Sequence, residues 1–140
     1  MFGIMERLAI RVEMTITIEF NEEKNVIIGR ITGMVNRPIL RKYTIEMNQF
    51  IHQKATKLIL SDYRAARFPL SMIEVFNLPD NHSLLLKSLG SNVLSYKRAL
   101  VFNKKNIEMA NFFENVAVNR GHNVKVFLDE DEAFAWLLSS

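Results

Sequence analysis

The stretch 98–138, RALVFNKKNIEMANFFENVAVNRGHNVKVFLDEDEAFAWLL, constrains the fold more than any other part of the chain. The short apolar run 99–102 reads as a buried strand. Asn106 then opens an amphipathic helix with Met109, Phe112, Phe113 and Val116 on one face, closed by Gly121. A second strand follows at 124–127, and Asp129 starts a last short helix ending in Trp136, Leu137 and Leu138. Asp129 at the N-cap and Glu132 three residues on have the spacing of a capping pair. Strand, helix, strand and helix in this order predict a parallel sheet with helices packed on it. Trp136 is expected to be largely buried by the return of the last helix onto the domain.

The preceding residues extend the same plan. From 14 to 20, Ile16, Ile18 and Phe20 alternate with Thr15, Thr17 and Glu19, the pattern of a half-buried strand. The turn 21–25 leads to a second strand at 26–35, so the two form an antiparallel hairpin; Gly29 and Gly33 inside it mark a bulge or a close backbone approach. Asn36 and Pro38 are helix-start residues, and Ile39, Tyr43, Met47, Phe50 and Ile51 recur at helical spacing as far as about Gln53. The run 57–61, KLILS, is almost wholly apolar and reads as a central strand. Pro69 starts another helix, which the sequence Leu78-Pro79-Asp80-Asn81 is expected to break; a further helix at 83–89 is capped by Gly90. The order is β-β-α-β-α-α-β-α-β-α: an α/β fold with a single, mostly parallel sheet of about five strands and an N-terminal β-hairpin. No repeat, linker or low-complexity tract divides the chain, so 14–140 reads as one domain. Met5 and Met14 allow a later start, with 1–13 as a lead-in.

Composition removes several function classes. A chain of 140 residues that is 49% apolar can bury a substantial core, and its ten Phe argue against disorder. With no cysteine, disulfides, thiolate catalysis and Cys-based zinc sites are excluded. This usage fits a cytoplasmic protein. No apolar run reaches the roughly 18 residues of a membrane span, and the first residues lack the pattern of a secretory signal. His52, His82 and His122 are scattered without metal-ligand spacing, and each reads as a surface or loop residue. The glycines form no phosphate-cradling loop, no Ser lies in a nucleophile elbow, and no carboxylate pair has acid/base spacing. No enzyme activity, metal or cofactor is therefore expected. The net charge of +3 is modest, but 36–67 carries Arg37, Arg41, Lys42, Lys54, Lys57, Arg64 and Arg67 against Glu46 and Asp62. A solvated basic face explains that excess, and steering of an anionic partner is the alternative. Nucleic acid is disfavoured because no recognition motif accompanies the charge.

One polar cluster stands out. Asp62, Arg64, Arg67 and Ser71 follow the predicted central strand and lead into the next helix. Ligands and partners of open α/β sheets bind at that carboxyl edge, and a helix N-terminus there can receive an anion. An ordinary loop with a capped helix reads equally well. Stripes such as Met72 with Phe76, or Phe112 with Phe113, read as core by default; walls of a lipophilic pocket between helix and sheet are the alternative.

Three stretches, ILSDYRAA (59–66), MIEVFNLPD (72–80) and MANFFENVAVNRGHNVKVFLDEDEAFAWLL (109–138), carry a resemblance that spans about 14–138. The chain resembles the STAS-like (SpoIIAA-like) superfamily, whose type member is the sporulation anti-sigma-factor antagonist, and more closely an uncharacterised bacterial branch of it. The resemblance implies a sheet of four to five strands wound as a β/α superhelix with helices packed against it. In the signalling members a Ser in a D-S-[ST]-G stretch, at the start of the helix after the third strand, is phosphorylated by a partner kinase. Here that region is 68–73; only Ser71 offers a hydroxyl, and Leu70, Met72 and Ile73 stand at the other positions. The phosphorylation switch is not expected to carry over. Asp62 matches the Asp that commonly ends the third strand. The functional expectation is a non-enzymatic binding or regulatory module that docks a protein partner or small-molecule ligand. The alternative is a carrier of a lipophilic or anionic small molecule in a helix–sheet cavity. Oligomeric state is left open.

Overall fold

The computed structural model describes residues 14–140; the lead-in expected at 1–13 lies outside the described residues. Strands β1 (Thr15–Asn21) and β2 (Val26–Met34) form the antiparallel hairpin. Helix α1 (Arg37–Lys54) follows, then β3 (Leu58–Asp62), the two-residue β4 (Ala66–Arg67) and α2 (Met72–Ser88). The chain ends with β5 (Lys97–Val101), α3 (Ile107–Asn119), β6 (Asn123–Phe127) and α4 (Glu130–Leu137). The sheet has six strands in the order β1-β2-β3-β5-β6, with β4 pairing off the end of β2. Every pairing except the hairpin is parallel, and β3 is central.

This order decides where the helices go. Each crossover adds the next strand on the same side of the last, and parallel crossovers are right-handed. Helices α1, α2 and α3 therefore gather on one face. Ile27, Ile31, Ile59, Leu100 and Val124 point to that face and meet Tyr43, Met47, Ala110 and Ala117. The opposite face carries Val26, Ile28, Leu60, Ala99 and Val101, covered by Ala133 and Leu137 of α4. Trp136 is only partly buried, contrary to expectation: its ring packs on Phe127, and the Lys97 ammonium lies 4.7 Å from its centroid. The buried anchor of α4 is Leu137, next in sequence.

Helix starts follow the local sequence. Asn36 Oδ1 accepts from the Ile39 N–H at 3.0 Å, with Pro in the first turn. The second helix does not start at Pro69 and does not break at Pro79. Ser71 and Glu74 form a reciprocal capping box, and α2 runs unbroken from Met72 to Ser88. A mid-helix proline removes one hydrogen bond, at roughly 3 kcal/mol, but it does not forbid helix. The box holds the turn before Pro79, packing against α1 and α3 holds the turns after it, and the proline ring is fully buried. Asp129 caps α4 through Asp131 N–H at 3.2 Å, while Glu132 stays exposed.

Gly29 marks a close approach. A Cβ there would lie 1.9 Å from the Tyr43 hydroxyl and 2.7 Å from the Met47 methyl, so its bare backbone lets α1 settle onto β2. Helix α2 behaves differently. It packs on α3 and α1 but has few direct contacts with the strands beneath it. That standoff opens a concavity between the helices and the sheet.

Candidate functional site

The carboxyl edge of β3 assembles only part of the predicted polar cluster. Asp62 points to the α4 face, in register with Arg30 of β2. Arg30 Nη1 reaches Asp62 at 2.5 Å and Glu130 at 2.9 Å, while Arg64 donates from Nε and Nη2 to the two Asp62 oxygens, each at 2.9 Å. The Arg64 backbone N–H adds a bond to Asp62 Oδ1 at 3.1 Å. Burial alone would raise the Asp62 pKa, but these bonds from Arg64 and Arg30 outweigh it and hold the carboxyl below its usual range. Two guanidinium groups and two carboxylates thus neutralise one another. Arg67 lies apart on β4, exposed, and Ser71 bonds to Glu74 as a helix cap. Arg30 and Glu130 were missed from the sequence because they enter the cluster from β2 and α4, distant in the chain; only strand register aligns Arg30 with Asp62.

The larger feature is a chamber of about 830 Å³ between α1, α2 and the strands. Its floor includes Ile59 and Ser61 of β3 and Arg98 and Leu100 of β5; its walls include Met47 and Ile51 of α1 and Leu78, His82 and Leu85 of α2. Tyr63, Phe68 and Phe102 pack edge-on or tilted against one another with centroids 5.2 to 5.5 Å apart and also line it. Arg37 and Arg41, both exposed, stand at the rim. Tyr43 and Ser61 satisfy each other through a 2.7 Å hydroxyl–hydroxyl bond. Of the residues singled out as pocket walls from sequence, Met72 (58% exposed) and Phe76 (47%) lie on the outer side of α2, whereas Phe113 does line the chamber.

Arg98 is 7% exposed and shares its strand face with Leu100 and Phe102. One nitrogen, Nη2, lies 2.9 Å from His122 Nδ1; Nε is buried without a partner. His122 is set in place by the end of α3. Gly121 adopts φ +89°, and the His122 N–H returns to Ala117 O at 3.0 Å, which turns the imidazole back toward β5. Desolvation, then the neighbouring Arg98 charge, lowers the His122 pKa to about 4. Burial, Arg98 and His122 likewise push His82 well below its ordinary value. Desolvation brings Arg98 down only to about 10, so at neutral pH the guanidinium is charged and both imidazoles are neutral. Of the three histidines read as surface or loop residues, His122 does lie in a loop but is buried, His82 lies within α2 and lines the chamber, and His52 is exposed and bonds to Ser91 Oγ at 3.1 Å. Strand parity was the available clue, since it turns Arg98 inward with Leu100.

Known structures of this shape include an anti-sigma factor antagonist from Mycobacterium paratuberculosis, with TM-score 0.58 and 11% identity over 90% of this chain and 95% of that one. A second is a DUF3478-family protein with a SpoIIAA-like fold from Shewanella loihica PV-4, with TM-score 0.55 and 18% identity over 89% of this chain and 94% of that one. The fold is SpoIIAA-like. At these identities the likeness establishes the architecture, as the sequence resemblance implied. No family model matches the chain, and no curated protein matches it in sequence. Among the described residues, no group of acidic or histidine side chains is arranged to hold a metal ion, and no helix of this SpoIIAA-like fold is long and apolar enough to cross a membrane.

Proposed function

We propose that this SpoIIAA-like chain is a non-enzymatic binding module whose small, largely apolar ligand occupies the chamber between α1, α2 and the sheet. One observation carries the reading: a concavity of about 830 Å³, walled by aliphatic and aromatic side chains with a few polar groups on its floor. Sites for small organic ligands span roughly 300–1,000 Å³ and have this composition. The few direct contacts between α2 and the strands supply the physical reason for the space. Native mass spectrometry of the freshly purified protein, with Nile red titration of the stripped protein, tests the assignment. A co-purifying lipophile, or saturable Nile red binding that Leu85→Trp abolishes in a folded variant, is expected. A ligand-free protein with no saturable dye binding would overturn it.

A second reading, a regulatory module that docks a protein partner, draws support from α2. Met72, Ile73, Phe76 and Leu84 are large apolar residues left exposed on it, and Ser71 caps its first turn. In this reading Arg67 and Ser71 make the contact, while Asp62 and Arg64 remain engaged in the ion pairs with Arg30 and Glu130. Capture of one defined partner, abolished by Ile73→Asp and Arg67→Ala together, is the expected result.

A further inference from the structure

Arg98 is the one feature of the chamber that an apolar ligand alone does not explain. We propose that the ligand is an amphiphile with a single anionic head group of the carboxylate kind, which closes on the Arg98 guanidinium at the chamber floor while its chain lies between α1 and α2. The proposal rests on the ligand-binding reading above and names the chemistry that the site selects.

Three observations converge on it. First, no ion pair joins Arg98 to any carboxylate among the described residues: Arg30 and Arg64 share Asp62 and Glu130, and Arg120 pairs with Asp80. The same chain therefore compensates these other arginines, at or near its surface, and leaves the one inside uncompensated. A buried charge without a partner is among the most costly polar arrangements in a protein interior, and a bound anion removes that cost. Second, among the described residues the side chain of Arg98 bonds only through Nη2, to His122, a neutral acceptor, and Nη1 has no hydrogen bond. The guanidinium keeps donors for a head group. Third, the chamber lining contains no Asp or Glu, whereas Arg37 and Arg41 stand at its rim. Its field favours anions from mouth to floor, and no acidic side chain competes for Arg98.

The number of charges sets the head group. His82, His122 and the Tyr63 hydroxyl are the titratable groups around Arg98, and the two imidazoles are held neutral by burial and by the arginine. One buried positive charge matches one negative charge. A polyphosphate would bring surplus charge into walls of Met47, Ile51 and Leu85, which cannot compensate it.

The experiment is Nile red displacement at pH 7.5 from the whole protein, with dodecanoate, dodecanol and dodecyl phosphate as competitors. Nile red is neutral and reports occupancy of the chamber independently of Arg98. Dodecanoate should displace it at concentrations roughly ten- to a hundredfold below those of dodecanol, as one or two charged hydrogen bonds provide. In Arg98→Met the order should reverse, because a carboxylate would then be desolvated with no partner; Arg98→Lys should retain part of the preference. Dodecanol binding as tightly as dodecanoate to the wild-type protein would overturn the anionic assignment and leave the chamber reading standing. Tighter displacement by dodecyl phosphate would overturn the single-charge head group. Absence of Nile red binding together with all competitors would overturn the chamber reading itself. The wild-type comparison decides the matter even if Arg98→Met fails to fold.

Discussion

Replacing Gly29 with Ala probes how α1 is seated on the sheet. The added methyl would lie 1.9 Å from the Tyr43 hydroxyl and 2.7 Å from both the Tyr43 ring edge and the Met47 methyl. The Met47 methyl can swing aside. The tyrosine ring cannot without breaking its 2.7 Å bond to Ser61, which sits in the next strand opposite Gly29. Overpacking of this kind costs about 1–3 kcal/mol, and loss of the buried hydroxyl bond about 1 kcal/mol more. Relief of glycine's backbone entropy in a strand offsets roughly 0.5–1 kcal/mol. The net expectation is a loss of about 1–3 kcal/mol, or a Tm lower by about 4–12 °C for a chain of this size. Urea unfolding of Gly29→Ala, Tyr43→Phe and the double variant forms a cycle. Tyr43→Phe should cost about 1 kcal/mol alone and little or nothing in the Gly29→Ala background, a coupling of about 1 kcal/mol between touching residues. Additive effects, or a Gly29→Ala protein as stable as wild type, would refute the close approach.

Three further outcomes are expected. Asp62→Ala leaves Arg30 and Arg64 facing Glu130 alone; because both arginines are more than one-third exposed, the loss should be about 1–3 kcal/mol in urea, well below that of a fully buried pair, and a change under about 0.5 kcal/mol would show the network to be inert. Leu137→Ala removes the fully buried anchor of α4 and should cost about 2–5 kcal/mol, with an unchanged urea midpoint refuting the coverage of the second sheet face. The folded pKa of His122, about 4, lies below the ordinary 6.5, so the unfolded chain binds the extra proton and stability, full above pH 6.5, should fall by a few kcal/mol as pH drops toward 4. His82 adds to the same slope; urea midpoints that stay flat between pH 7 and pH 5 would contradict the lowered pKa of both imidazoles.

Local chemistry by itself determined most of the elements. Alternation at 15–20, the Asn36–Pro38 start and the Gly90 and Gly121 stops depend on neighbours a few residues away, and such signals survive without knowledge of the fold. The parallel sheet followed from element order, because right-handed crossovers leave few alternatives. Pro79 shows where local reasoning stops: a break is expected at 78–81, but burial against other helices holds α2 through it. The site was less legible still. Asp62 and Arg64 are two residues apart and could be paired from sequence, whereas Arg30 and Glu130 reach them only through strand register and the placement of α4. In the sequence Arg98 only precedes the apolar run 99–102, and His122 reads as a surface or loop residue. Only the tertiary structure decided that they meet beneath a helix with few contacts to the sheet, because burial, the lack of a counter-charge and the chamber are properties of packed surfaces far apart in the chain.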